Sequence, residues 1–83
     1  MSFVKSDTIK IKVLEALSRD DREHTYYSLT KKIKVSFSSL KPNCEFLEAL
    51  SFITIEKKKS VAGKYNFIKI TDKGRKALGK LKG

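Results

Sequence analysis

The sequence predicts an α+β fold in which three helices are followed by a β-hairpin and a short last helix. In the first half of the chain, apolar residues recur at intervals of three and four, the spacing of one helix face. After Leu50 the interval changes to two in the runs 52–56 and 65–70, as expected for β-strands. The lysine-rich segment from Lys57 to Lys64 then forms the loop of a hairpin.

The first helix is predicted to begin at Ser6 or Asp7, because either side chain can accept a hydrogen bond from a free N–H group of the first turn. Its apolar residues recur at helical spacing and are Ile9, Val13, Leu14 and Leu17. The charged segment 19–24 has no apolar anchor and is interpreted as a solvated turn. His24 is expected to be solvated within it.

A brief second helix is predicted to open at Tyr27 or Ser28, after a segment 25–27 that forms either a short strand or an extended entry. Leu29 and Ile33 are four residues apart and share one face of this helix. The other face carries Lys31 and Lys32.

The third helix is predicted from about Ser38 to Leu50, with Ser36 or Ser38 as its N-cap. Pro42 is tolerated if it lies in or next to the first turn and otherwise kinks the helix. Asn43 is placed on the exposed face. A core-facing stripe is formed by Phe37, Leu40, Cys44, Leu47 and Leu50.

In the hairpin, the inward-pointing side chains are predicted to be two isoleucines from each strand. Thr71 is expected to cap the last helix. Within that helix, Gly74 and Gly79 each cost about 1 kcal/mol relative to alanine. The inward residues are Ile53, Ile55, Ile68 and Ile70, and Tyr65 and Phe67 lie on the opposite face.

The charge of the chain favours a polyanionic partner. Nineteen Lys and Arg against nine Asp and Glu give a formal net charge of +10. Residues 56–83 hold ten of the basic and two of the acidic side chains, so the excess lies in the hairpin and the tail. Such an excess attracts nucleic acid, although lysine-rich surfaces also serve solubility and ion-pair networks.

Several classes of protein are not expected from this sequence. Eighty-three residues allow one domain, residues 1–83. The single cysteine, Cys44, excludes an intramolecular disulfide framework, and one Cys with one His argues against a zinc site built within a single chain. No catalytic constellation, cofactor motif or small-molecule site is evident, and no apolar stretch approaches the ~20 residues that span a bilayer. The expectation is a non-enzymatic, intracellular protein in the cytoplasm, with no membrane partner.

Two segments, YYSLTKKIKVSFSSLKPNCEFLEALSFI and YNFIKITDKGRKAL, resemble the winged helix-turn-helix transcription regulators, particularly the small single-domain proteins of archaea and their viruses. The resemblance covers about residues 9–81. Its most specific parts are 47–53, where a helix ends and a strand begins, and 70–74, where a strand meets the last helix. Ser51 stands where the family usually has glycine, so a less tightly turned helix exit is expected.

The resemblance implies that the third helix is a recognition helix in the major groove of DNA. Asn43 could pair with adenine and Lys41 with guanine. The hairpin would be the wing, whose lysines suit phosphate or minor-groove contact but could instead protect strand edges from aggregation. The implied DNA-binding residues are Ser38, Ser39, Lys41, Pro42 and Asn43 in the recognition helix, Lys31 and Lys32 in the second helix, and Lys57, Lys58, Lys59 and Lys64 in the wing.

The implied function is that of a transcription regulator which binds duplex DNA as a homodimer. Its terminal segments 1–17 and 71–82 could form the dimer surface, and half-sites would then lie about one helical turn, ~34 Å, apart. The alternative is a winged-helix module for protein or RNA interaction that reads no DNA sequence. The aromatic residues Tyr26, Tyr27, Tyr65 and Phe67 either stack on bases, as in single-strand binders, or pack in the fold.

Overall fold

The computed structural model describes residues 3–20, 24–61 and 63–82. It confirms the α+β fold: three helices precede a β-hairpin, and a fourth helix follows. A short strand that pairs with the hairpin precedes the second helix. The elements are α1 (Phe3–Arg19), β1 (His24–Thr25), α2 (Tyr26–Ile33), α3 (Phe37–Ala49), β2 (Ile53–Ser60), β3 (Gly63–Ile70) and α4 (Asp72–Lys82).

Helix α1 begins at Phe3, so Ser6 and Asp7 lie within it and the prediction that either caps it is wrong. Serine and aspartate favour caps but are tolerated within helices, so their presence alone does not fix a helix start. The apolar stripe is confirmed, since Val13 and Leu17 are buried.

One hydrophobic core joins the helices to the inner surface of the sheet. Leu14 of α1, Leu29 of α2 and Leu40 of α3 are fully buried in it. Ile53 of β2 and Ile68 of β3 close the core from the sheet side, which confirms their predicted inward orientation.

The sheet has the strand order β1-β3-β2, and both pairings are antiparallel. Strand β1 places His24 opposite the buried Ile68, and His24 itself is only 4% exposed. Its Nε2 lies 3.2 Å from the carbonyl oxygen of Asp20. The prediction of a solvated His24 is therefore wrong, because pairing with β3 turns this residue toward the core.

Helix α2 starts at Tyr26, slightly earlier than predicted, because Thr25 caps it. The Oγ1 of Thr25 accepts a hydrogen bond from the N–H of Ser28, and the Oγ of Ser28 accepts one from the N–H of Thr25, each 3.1 Å long. This reciprocal capping box satisfies two backbone donors at the helix start. The same Thr25 thus ends β1 and begins α2.

Helix α3 is capped by Ser36, whose Oγ accepts a hydrogen bond of 3.3 Å from the N–H of Ser39, as predicted. Leu40, Cys44 and Leu47 form the buried part of its stripe. The two ends of the predicted stripe are wrong: Phe37 is 52% exposed and Leu50 is 39% exposed. These residues lie at the ends of the helix, where a regular spacing no longer guarantees a neighbouring element to pack on.

The exit from α3 is tightly turned, contrary to the expectation from Ser51. The N–H of Ser51 donates to Glu48 O at 2.8 Å, and the N–H of Phe52 donates to Leu47 O at 3.0 Å. This pair of bonds is a Schellman motif. Ser51 adopts the left-handed conformation that it needs, with φ of 64°.

The strands of the hairpin are longer than predicted, and the wing lysines lie within them rather than in a loop. Ladder pairing continues past Glu56, with Lys57 opposite Asn66, Lys58 opposite Tyr65 and Lys59 opposite Lys64. Both faces of this part of the hairpin carry exposed lysines, so charged side chains do not prevent strand pairing. The hairpin therefore projects as a paired ribbon.

Helix α4 is capped by Thr71, as predicted: Thr71 Oγ1 accepts a hydrogen bond of 3.0 Å from the N–H of Gly74. Gly74 packs directly on the backbone of Phe52, so closely that a Cβ at this position would clash with the Phe52 carbonyl oxygen. By contrast, a Cβ at Gly79 would meet no atom within 4 Å.

Candidate nucleic-acid interface

The N-terminal part of α3 presents a polar, exposed surface. Ser38, Ser39, Lys41 and Pro42 are all exposed. The Oγ of Ser36 lies 3.2 Å from the Oγ atoms of both Ser38 and Ser39. These hydroxyl groups surround the positive end of the helix dipole, which favours contact with anions.

Pro42 lies inside α3, in its second turn, because the helix already begins at Phe37. The expectation that Pro42 would fall in or beside the first turn depended on a start at Ser38 or Ser39. Proline has no N–H to donate to the carbonyl group of Ser38, one turn earlier. That carbonyl oxygen therefore lacks the usual helical donor and lies on an exposed residue.

Asn43 does not belong to this exposed surface. It is 7% exposed, and its Nδ2 donates a hydrogen bond of 2.7 Å to the carbonyl oxygen of Ser39. Placing Asn43 on the outer face was wrong, because it stands four residues before the buried Leu47 and so lies on nearly the same face. The bond to Ser39 links the first and second turns of α3.

The wing lysines divide between the two faces of the hairpin. Opposite residues of an antiparallel pair point to the same face. Lys57, Lys59 and Lys64 therefore share the face that carries Ile55 and Ile68 nearer the core, here called the inner face. Lys58 lies on the outer face, where its Nζ is 5.1 Å from the centroid of the Phe67 ring. All four lysines are exposed.

The two lysines of α2 have different surroundings. The Nζ of Lys31 lies 4.5 Å from the centroid of the Tyr27 ring, in a cation–π contact. The Nζ of Lys32 lies 3.4 Å from Asp20 Oδ2. Such an exposed ion pair is weak, so a phosphate could compete for Lys32.

A cleft of about 380 Å³ separates α2 and the start of α3 from the wing. It places Phe37, the first residue of α3, across from Lys64 of β3, so the exposed start of α3 and the wing border one surface. Sequence reasoning assigned Phe37 to the core and so missed this cleft. Its lining residues are Thr25, Tyr26, Tyr27, Thr30, Phe37, Lys64, Tyr65 and Asn66.

Cys44 and Tyr26 stay protonated at neutral pH. Burial, together with nearby Glu45, raises the pKa of the Cys44 thiol to about 12. Burial, and secondarily Cys44, Glu45 and Glu48, raises the pKa of Tyr26 to about 12. A thiol of this pKa is a poor nucleophile near pH 7, as expected of a core residue.

Neither a metal-binding cluster nor a membrane-spanning helix occurs in the part of the chain that the structure describes. Its residues include no group of three or more His, Cys, Asp and Glu side chains that could hold a metal ion. None of its helices is long and apolar enough to cross a membrane.

Solved structures show where this fold recurs. A PadR-like transcription factor from Bacteroides fragilis has a TM-score of 0.85 and 21% identity, with 98% of this chain and 82% of that chain covered. A PadR-like transcriptional regulator from Bacillus cereus has a TM-score of 0.79 and 26% identity, with 99% and 84% covered. Bacillus subtilis PadR, solved in complex with operator DNA, has a TM-score of 0.78 and 20% identity, with 89% and 46% covered.

Similar structures come from bacteria and also from archaea, so the similarity is not restricted to archaea and their viruses. No curated protein matches the chain significantly. The family model described as "Winged helix DNA-binding domain" matches residues 9–82, nearly the whole chain. The chain therefore belongs to the winged helix DNA-binding domain family.

Proposed function

We propose that this protein is a transcription regulator that binds duplex DNA through α3 and the wing. The observation that carries the proposal is the cleft, which sets Phe37 at the start of α3 across from Lys64 of the wing. A duplex lying on this surface could meet the start of α3 in its major groove. The wing would then reach the adjacent phosphates or the minor groove.

In this arrangement, sequence preference rests mainly on Lys41. A lysine ammonium can donate to O6 and N7 of guanine, and Lys41 is exposed near the start of α3. Ser38 and Ser39 can bond to base edges or phosphates, and Pro42 can contribute apolar contact. Asn43 would have to give up its bond to Ser39 before it could read adenine.

The cations around α3 supply affinity that does not depend on sequence. Lys57, Lys58, Lys59 and Lys64 of the wing and Lys31 and Lys32 of α2 are exposed and can displace counterions from phosphates. The protein would act without catalysis or a cofactor, in the compartment that holds the DNA, which we take to be the cytoplasm.

We further propose that residues 1–83 form one domain that acts as a homodimer. Helices α1 and α4 pack against each other, so both terminal segments lie together and can form one symmetric surface. Two recognition helices would then meet half-sites separated by about one helical turn, roughly 34 Å.

Competition binding tests the regulator proposal. Fragments selected by the protein from a genomic library are set against random duplex DNA of equal length at one fixed salt concentration. We expect the best fragment to bind at least ~10³-fold more tightly than random DNA, the lower end of the range for specific binders. A ratio near one for every selected fragment would overturn the proposal and favour the protein or RNA interaction module.

Solution mass tests the dimer separately. Light scattering should give twice the 9.5 kDa of one chain, both alone and per bound DNA site. A single copy bound to a site without internal symmetry would contradict the dimer and leave the DNA-binding proposal intact.

A further inference from the structure

Three large aromatic side chains stay exposed around the cleft between the wing and the helices. Tyr27 is 68% exposed, Phe37 is 52% exposed and Tyr65 is 39% exposed. The Phe37 ring is held edge-on by Tyr26, with centroids 5.4 Å apart and an interplanar angle of 81°. These rings contribute little to the core. Tyr27 and Phe37 line the cleft from the helices, whereas Tyr65 borders it at the edge of β3, with its ring 6.2 Å from that of Phe67.

Two lysines flank this cleft. Lys64 lines it, and Lys31 lies against the ring of Tyr27, 4.5 Å from its centroid. None of the described residues that line it carries a carboxylate. Glu45 and Glu48 are close enough to Tyr26 to raise its pKa, so an anion would favour the ends of the cleft marked by Lys31 and Lys64.

The wing also offers polar backbone to this cleft. Within the described residues, β1 pairs with β3 only at Phe67 and Ile68. The edge of β3 at Lys64, Tyr65 and Asn66 therefore continues without a strand partner on the cleft side. The N–H and C=O groups that alternate residues of this edge turn away from β2, together with the Asn66 amide, can bond to the edges of a planar ligand.

We propose that this aromatic cleft binds unstacked bases of single-stranded DNA. Aromatic rings that stack on bases, combined with cations that contact the flanking phosphates, are the features by which proteins hold single strands. An added peptide strand fits less well, because three residues of open edge are fewer than the five or six of a typical strand. The proposal shares with the proposed function only the assumption that DNA is the partner.

Bases in an intact duplex are stacked on each other, so they cannot stack on Tyr27 or Phe37. Duplex binding therefore depends on the lysines and the exposed start of α3, whereas the rings add affinity only where a strand is unpaired. This difference makes the two activities separable by mutation.

The test uses the full chain and three probes of equal length: a single strand, the same strand with abasic sites, and the matching duplex. Tyr27→Leu and Phe37→Leu should each weaken single-strand binding by roughly tenfold, the scale of one base–aromatic stacking interaction. Binding of the abasic strand should change by less than about twofold, because its phosphate contacts remain. Duplex binding should weaken by less than single-strand binding, because the stacked bases of a duplex cannot reach the rings. A 2-aminopurine base in the single strand should lose fluorescence on binding to the unmodified protein.

Phe46→Leu is the matched control, since Phe46 is also 52% exposed on α3 but lies in a groove against α1, away from the cleft. It should leave single-strand binding unchanged, and circular dichroism should show that all variants are folded. The proposal is overturned if the intact and abasic strands bind equally, or if Phe46→Leu weakens binding as much as Phe37→Leu. Equal loss of duplex and single-strand binding in the cleft variants would also overturn it. None of these results would contradict the proposed duplex binding, because that proposal is tested by competition between selected and random duplexes.

Discussion

Ser51 adopts a backbone conformation that suits glycine better, with φ of 64° at the end of α3. A left-handed conformation costs an L-residue roughly 1–2 kcal/mol. Replacing it with glycine removes this cost, but part of the gain is offset because glycine makes the unfolded chain more flexible. We therefore expect Ser51→Gly to raise the free energy of unfolding by about 0.5–1 kcal/mol. Urea denaturation measures the change.

Ser51→Ala provides the comparison, because alanine keeps the strained conformation and removes only the hydroxyl group. It should not stabilise the protein. Equal stabilities of the glycine and alanine variants would show that the helix exit stores no strain at this residue.

Asn43 is expected to act on stability rather than on the choice of DNA sequence. Asn43→Ala removes the 2.7 Å bond to the carbonyl oxygen of Ser39 and leaves a small cavity at a 7% exposed position. The free energy of unfolding should fall by about 1–2 kcal/mol. In binding assays well below the melting temperature, the ratio of affinities for two duplexes should stay the same.

Lys41→Ala is the control for that experiment, since Lys41 is exposed two residues earlier on the same helix. It should change the ratio of affinities and leave stability nearly unchanged. If Asn43→Ala also changes the ratio of affinities, the Asn43 amide must break its bond to Ser39 and contact a base when DNA binds.

At single residues, the sequence predicts centres of patterns better than their ends. Leu40 and Cys44 lie in the middle of a periodic stripe and are buried as predicted. Phe37 has the same spacing but is the first residue of the helix, and it is 52% exposed. His24 is buried by strand pairing with residue 68, a contact 44 positions away that no local pattern encodes.

At the scale of elements, the junction of α3, β2 and α4 depends on close backbone packing. Gly74 touches the Phe52 carbonyl, whereas a Cβ at Gly79 of the same helix would meet nothing within 4 Å. We expect Gly74→Ala to lower the free energy of unfolding by about 1–3 kcal/mol through overpacking. Gly79→Ala should raise it by up to about 1 kcal/mol through helix propensity.

The pair is informative because both substitutions add one methyl group to α4 and gain the same propensity. Thermal or urea unfolding of the two variants should therefore move in opposite directions. Two shifts of the same sign would mean that the corner relaxes around the added methyl group.

The two faces of the wing are expected to contribute unequally to duplex binding. Lys57 and Lys59 lie on the inner face, while Lys58 and Lys69 lie on the outer face with Phe67. We expect Lys57→Ala combined with Lys59→Ala to weaken binding to all duplexes alike. The slope of log K against log salt should flatten by roughly two, about one for each phosphate that a lysine no longer neutralises.

Lys58→Ala combined with Lys69→Ala removes the same charge from the outer face and should flatten the slope by much less. Identical slopes for the two double variants would show that the wing acts only through its total charge.

The order of the elements was predictable because each helix or strand has its own period, and Thr71 and Ser36 mark helix starts by their chemistry. The length of the wing was not. A run of lysines is typical of a loop. The backbone of these residues nevertheless pairs with β3, because their side chains point into solvent on both faces and do not disturb the pairing. The cleft was not predictable either, because it joins Tyr27 to Tyr65 across the fold.

At the scale of the whole molecule, the core couples folding to proton release at alkaline pH. Cys44 and Tyr26 have pKa values raised from 9.0 and 10.0 to about 12 by burial. The folded state therefore keeps protons that the unfolded chain loses above about pH 9. Because the unfolded state binds fewer protons there, the stability these groups contribute is fully present below pH 9 and is lost progressively toward pH 12.

We expect the free energy of unfolding to fall by about 2 kcal/mol between pH 8 and pH 10 through these two groups, mostly through Cys44. Cys44→Ala should lower the free energy of unfolding at pH 8, because it opens a cavity at a fully buried position. The stability of this variant should depend less on pH than that of the unmodified protein. The two proteins differ only at residue 44, so urea denaturation at each pH gives the contribution of the thiol as the difference between the two curves. A core closed between α2 and α3 keeps the Cys44 thiol protonated until the protein unfolds. Parallel curves of stability against pH for the two proteins would contradict this, because they would show that Cys44 ionises without unfolding.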